Sequence, residues 1–80
     1  MKANVFVTLK REVLDPQGDA VQRALASMGM EGLRSVRVGK LVELELDGEN
    51  RAEVETNVRT MCEKLLANPV IEDFRFEIVE

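Results

Sequence analysis

Leu33-Arg34-Ser35-Val36-Arg37-Val38-Gly39-Lys40-Leu41-Val42-Glu43-Leu44-Glu45-Leu46 is the stretch whose reading decides the fold. Residues on both sides of Gly39-Lys40 alternate with the period of two that marks a β-strand, and a two-residue connection with Gly first suits a type II′ turn. A hairpin of strands Leu33–Val38 and Leu41–Leu46 is therefore expected. In it Val38 stands opposite Leu41 and Val36 opposite Glu43, whereas Val42, Leu44 and Leu46 share their face with Leu33, Ser35 and Arg37. Apolar residues then fall on both faces. With Val42, Leu44 and Leu46 against helices, the other face carries Phe6, Val36, Val38, Leu41 and Val79, an apolar patch that a second copy is expected to cover. The alternative is a bulge near Gly39, which shifts the parity by one and returns Val36 and Val38 to the core.

Outward from the hairpin, the pattern is symmetrical. Asn4–Lys10 alternates as a first strand, with Val5, Val7 and Leu9 on one face. Leu14-Asp15-Pro16-Gln17-Gly18 then supplies a helix start at Pro16, because Asp accepts from first-turn N–H groups and Pro at the first helical position loses nothing. Val21, Ala24, Leu25 and Met28 form a narrow stripe expected to face the sheet, and Gly29 ends the helix. Beyond the hairpin, Asn50 with Glu53 reads as a capping box. Val54, Val58, Met61, Cys62, Leu65 and Leu66 mark one face of a second helix that stops at Asn68-Pro69. Val70–Val79 closes the chain as a fourth strand with Phe74, Phe76 and Ile78 turned inward. The expected fold is a single α+β domain over residues 1–80: ferredoxin-like βαββαβ, a four-stranded antiparallel sheet with both helices on one face.

Composition narrows the chemistry. At 80 residues there is room for one small core, which is marginal alone, so a dimer or tetramer is expected. A net charge of −4, from 11 basic and 15 acidic residues, opposes nucleic acid and anionic membranes as partners. No apolar run reaches the ~18 residues of a bilayer span. With one cysteine there is no internal disulfide, and the chain enters its first strand without a targeting pattern, so a cytoplasmic location is expected. There is no His, Tyr or Trp to act as general base or nitrogen ligand. Cys62 sits in an apolar stripe with no His to activate it and reads as a small hydrophobe. Glu43, Glu45, Glu72 and Asp73 read as solvated strand residues, with no loop long enough to roof a catalytic pair. Val38-Gly39-Lys40 is followed by a strand and lacks the helix N-terminus of a phosphate loop. Stacking of RNA bases has only Phe6 to use. No catalytic, metal or cofactor residue is expected on this chain.

Four segments carry a resemblance: Leu14-Asp15-Pro16-Gln17-Gly18, Ser35-Val36-Arg37-Val38-Gly39-Lys40, Glu43-Leu44-Glu45-Leu46 and the long block Cys62-Glu63-Lys64-Leu65-Leu66-Ala67-Asn68-Pro69-Val70-Ile71-Glu72-Asp73-Phe74. Together they closely resemble PurS, the small subunit of bacterial and archaeal phosphoribosylformylglycinamidine (FGAM) synthase. At Met28-Gly29-Met30 the sequence departs from the family, which often has an aromatic after the Gly.

The resemblance implies an accessory subunit in de novo purine biosynthesis. The complex converts formylglycinamide ribonucleotide (FGAR) to FGAM with ATP and with ammonia drawn from glutamine. In the family a glutaminase subunit, PurQ, carries a Cys-His-Glu triad, a ligase subunit, PurL, holds ATP and magnesium, and a dimer of the small subunit bridges them. Family-like residues that do not evidently serve the core are Asp15, Gln17, Arg37, Lys40, Asn68 and Glu72, the expected partner-facing set. Each also has a purely structural use: Asp15 as a helix cap, Asn68 as a helix stop, Lys40 in the hairpin turn. The competing reading is a free-standing dimeric regulatory module that binds a small metabolite.

Overall fold

The computed structural model describes all 80 residues, Met1–Glu80. Strand β1 (Lys2–Leu9) runs between β2 (Gly39–Glu45) and β3 (Glu72–Val79), antiparallel to both, in a three-stranded sheet. The alternation of β1 sends Ala3, Val5 and Val7 to one face, where all three are buried. Their cross-strand partners are Leu44 and Val42 on β2 and Ile78, Phe76 and Phe74 on β3, so each strand contributes its apolar parity to the same side.

Helix α1 spans Pro16–Ser27 and helix α2 spans Arg51–Met61. Helix α2 starts where Asn50 Oδ1 accepts from the N–H groups of Ala52 and Glu53, at 3.0 and 3.3 Å. It lays Val54 and Val58 on the buried face of the sheet. After Met61 the helix widens into a π-turn over Cys62–Leu66, with Ala67 N–H donating to the Cys62 carbonyl at 3.0 Å. A bond between residues five apart brings Cys62 and Ala67 onto one side, and both are buried. Leu65, which an unbroken α-helical stripe places against the core, is instead 82 % exposed.

The expected four-stranded sheet is not formed, because Gly39-Lys40 does not turn. A type II′ turn needs a positive φ at its first central residue, and only Gly29, Gly32 and Gly48 have one. Gly39 is needed for a different reason: a Cβ there would lie 2.6 Å from the Val7 carbonyl oxygen and 2.8 Å from Thr8 Cγ2. Absence of a side chain lets β2 close on β1. The chain therefore passes straight through Gly39, and Leu33–Val38 prolongs β2 past the end of β1 with no strand beside it. Val36, Val38, Val42, Leu44 and Leu46, all of one parity, are partly covered, and the residues between them, Lys40 included, are exposed.

Helix α1 goes with that extension and away from the sheet. Gln22 Nε2 donates to the Arg34 carbonyl at 3.1 Å, and the Val36 carbonyl lies against Gly18. The expectation that its stripe faces the sheet, beside the second helix, is also overturned. No residue of α1 joins the core cluster, and Val21 and Met28 are 40 % and 67 % exposed. A crossover helix packs on the strand it leads to, and that strand lies outside this chain's sheet. The result is an elongated body, 49 × 26 × 15 Å, with a radius of gyration of 16.0 Å. A compact chain of this length has about 12 Å.

Gly18→Ala tests the seating of α1 on the extension. In an open helix the change stabilises by up to about 1 kcal/mol. Here the new methyl meets the Val36 carbonyl, so a net loss of about 1–3 kcal/mol is expected from overpacking, read by urea unfolding. A more stable variant would show that α1 does not lie against this carbonyl.

Candidate partner-docking site

Asp15, Gln17, Lys40 and Glu72, four of the six residues expected to face partners, line one open groove of about 270 Å³ beside Val7, Leu9 and Val38. It lies where the end of β1, the start of α1 and the start of β2 meet. Asp15 is the buried member, 4 % exposed. Its Oδ1 accepts from Gly18 N–H at 3.0 Å as a helix cap, and its Oδ2 accepts from Val38 N–H at 2.7 Å. One carboxylate thus fixes both the start of α1 and the residue that precedes β2. The two backbone donors, Val38 foremost and Gly18 next, hold its pKa below the ordinary carboxylate value against the opposing effect of burial, with the Arg37 charge helping.

Lys40 is exposed and has no ion-pair partner, since the salt bridges are Lys2–Glu43 at 3.6 Å and Arg51–Glu55 at 3.5 Å. Glu72 is committed locally: its Oε1 accepts from Asn68 N–H at 2.7 Å, and its own N–H donates to the Asn68 carbonyl at 2.7 Å. Asn68 Oδ1 takes the Val70 N–H at 3.1 Å, so Asn68 shapes the turn into β3. Arg37 belongs to another groove, with Thr8, Leu9, Arg11 and Ser35. Its Nη2 donates to the carbonyls of Lys10 and Val13, each at 2.8 Å, and ties the link between β1 and α1 to the extension.

Of the residues expected on an apolar oligomer face, Phe6, Leu41 and Val79 lie on the side of the sheet away from α2, and Phe6 pairs across strands with Leu41 and Arg75. Val36 and Val38 lie outside the sheet, with the parity of Val42 and Leu44. The Phe6 ring is capped by the Arg75 guanidinium at 4.0 Å, a contact worth about 0.5–1 kcal/mol when exposed. Sequence reasoning missed this pair, whose signal is visible only once the register sets Arg75 opposite Phe6. It also missed Arg59, whose guanidinium lies over the Phe76 ring at 5.1 Å.

The remaining chemistry is sparse. Cys62 is buried, and desolvation pushes its thiol pKa up despite the nearby Arg59. No three His, Cys, Asp or Glu side chains gather as a metal site. Gly39-Lys40 lies in extended chain with no helix N-terminus behind it, so it forms no phosphate loop. No helix is long and apolar enough to cross a membrane.

Residues 2–80 match the family model PurS, described as phosphoribosylformylglycinamidine (FGAM) synthase. The chain belongs to the PurS family. It is 52 % identical over 79 residues to phosphoribosylformylglycinamidine synthase subunit PurS of Bacillus subtilis, covering 99 % of this chain and 93 % of that one. The corresponding subunit of Methanocaldococcus jannaschii is 42 % identical over 77 residues, 96 % and 93 % of the two chains. Among solved structures, B. subtilis PurS superposes with a TM-score of 0.85 at 52 % identity over 99 % of this chain and 98 % of that one. A chain in the structure of PurLQS from Thermotoga maritima gives 0.88 at 31 % identity, covering 98 % and 95 %.

In this PurS-family chain the lowered pKa of Asp15 has a sign. A carboxylate depressed on folding adds stability that is present above its unfolded pKa, about 3.9, and is lost as pH falls through the folded value. Asp15→Asn removes that part, so the difference in melting temperature between wild type and variant is expected to be largest at neutral pH and to shrink below about pH 4. A constant difference from pH 7 to pH 3 would mean that the charge of Asp15 is not what holds Gly18 and Val38.

Proposed function

We propose that this chain is the accessory PurS subunit of FGAM synthase, the glutamine- and ATP-dependent ligase that converts FGAR to FGAM in purine biosynthesis. Family membership over residues 2–80 carries the assignment. The side chains support a noncatalytic part: the one thiol is buried and kept protonated, and the carboxylates are spent on caps, turns and strand surface. Reacting groups, ATP and magnesium belong on the partner subunits, and the cell compartment is the cytoplasm, where this pathway's substrates are made.

The physical task of such a subunit is to hold glutaminase and ligase together. Ammonia released from glutamine is protonated and diluted once it reaches water, so the two active sites must be joined by a closed path. The groove at the β1–α1–β2 junction, with Lys40 unpaired above a floor of Val7 and Val38, suits an acidic or carbonyl-rich surface of a partner. The groove holding Lys40 is open to the surface, which fits protein contact better than enclosure of a metabolite.

Reconstitution tests the assignment. Ligase and glutaminase subunits without this chain are expected to make FGAM from added ammonium but little from glutamine, and this chain is expected to restore the glutamine-driven rate. Full glutamine-driven turnover without it would remove the bridging role. Lys40→Ala is expected to leave the fold intact and to weaken assembly about 10-fold or more, as loss of a desolvated charged contact does. Unchanged affinity by calorimetry would take Lys40 off the contact surface.

A further inference from the structure

The open groove of about 470 Å³ lined by Thr8, Leu9, Arg11, Ser35 and Arg37 carries an inference that goes beyond the subunit reading and does not depend on it. This chain has 15 acidic residues and a net charge of −4, yet two arginines and no carboxylate line that groove. Asp73, opposite Thr8 on β3, and Glu12, next to Arg11 in the chain, stay out of its lining. The hydroxyls sort the same way. Of the five Ser and Thr side chains, Ser27, Thr56 and Thr60 donate to helix carbonyls at 2.7, 3.0 and 3.0 Å. The two that bond nothing within the chain, Thr8 and Ser35, are the two that line this groove.

Arg37 is in place before any ligand arrives. Both Nη2 hydrogens go to the carbonyls of Lys10 and Val13, each at 2.8 Å, which leaves the Nε and Nη1 hydrogens to face outward unused. A guanidinium already fixed by its own chain loses little freedom when it binds. The Lys10 carbonyl is one of its two anchors, so the same contact fixes the residue before Arg11. Arg11 is exposed and belongs to neither salt bridge.

Donors of this kind and number specify an oxyanion. A carboxylate has two oxygens and is satisfied by one guanidinium fork, whereas a terminal phosphate presents three, enough for two guanidiniums and the hydroxyls beside them. We infer that this groove binds a phosphate group, free or carried by a small metabolite. Arg37 supplies the fixed charge, Arg11 closes over the ligand, and Thr8 and Ser35 donate from the sheet side. A bound phosphate joins the β1–α1 link, through Arg11, to the extension, through Ser35 and Arg37, and so reinforces the clamp that Arg37 makes alone.

Titration of the full chain at constant ionic strength, followed by amide NMR shifts, tests the site with inorganic phosphate, with ADP and with a tetraglutamate peptide as separate probes. Saturable shifts centred on Thr8, Arg11, Ser35 and Arg37 are expected with phosphate or ADP. Tighter binding of ADP identifies an organic phosphate as the ligand, and equal binding identifies the free ion. Arg11→Ala is expected to weaken binding about 10-fold, as loss of a charged hydrogen-bond donor does, and Ser35→Ala about 3-fold. Arg23→Ala, which removes an equal charge from the exposed face of α1, is expected to change nothing. Urea unfolding of each variant shows whether it is folded, and S35A keeps the test open if R11A is not. Shifts that rise without saturating, an R23A loss equal to that of R11A, or unaltered affinity in folded R11A or S35A would overturn the site. So would tetraglutamate binding there in place of phosphate, which would make the groove a contact for protein carboxylates.

Discussion

Extended backbone at Gly39 is the constraint on which the rest of the molecule depends. A residue with a side chain could not sit against the Val7 carbonyl and Thr8, so the close pairing of β2 with β1 requires Gly at this point. Passing through without a turn, the chain carries everything between Leu33 and Val38 beyond the end of the central strand. Helix α1 follows, because Asp15 binds its first turn and the Val38 amide with one carboxylate, and Arg37 clamps the connection from the other side. The protruding unit is therefore ordered by polar contacts, while the body is ordered by apolar ones.

The body is a small but closed piece of packing. Ala3, Val5 and Val7 are covered by Val54, Val58 and Cys62, with Ile78 and Ala67 completing the cluster. The π-turn after Met61 is what lets the last covered residues reach the sheet before Asn68-Pro69 ends the helix. It also turns Leu65 outward, leaving it exposed, as Val70 is.

Local patterns made most of the elements legible. Asp15-Pro16 and Asn50 start their helices as their chemistry demands, and β1 and β3 bury the parity that alternation assigned them. The single hairpin could not be read correctly, because a Gly inside an alternating run serves equally well as a turn or as a point of close approach. What separates the two is the Val7 carbonyl, more than thirty residues away in sequence. The same holds for the site. Asp15 was legible as a cap, but its second bond to Val38 depends on where the extension lies, and the approach of Arg75 to Phe6 depends on register. The family resemblance reached further than periodicity, since it reports how the chain is used in an assembly and not only how it packs.

The 49 Å long axis has a practical corollary. A narrow body displaces more solvent per unit mass as it tumbles, so its frictional coefficient exceeds that of a sphere of equal weight. On a sizing column calibrated with rounded standards a lone copy elutes early, in the position of a heavier species. Copy number for this molecule has to be read from a quantity that scales with mass alone.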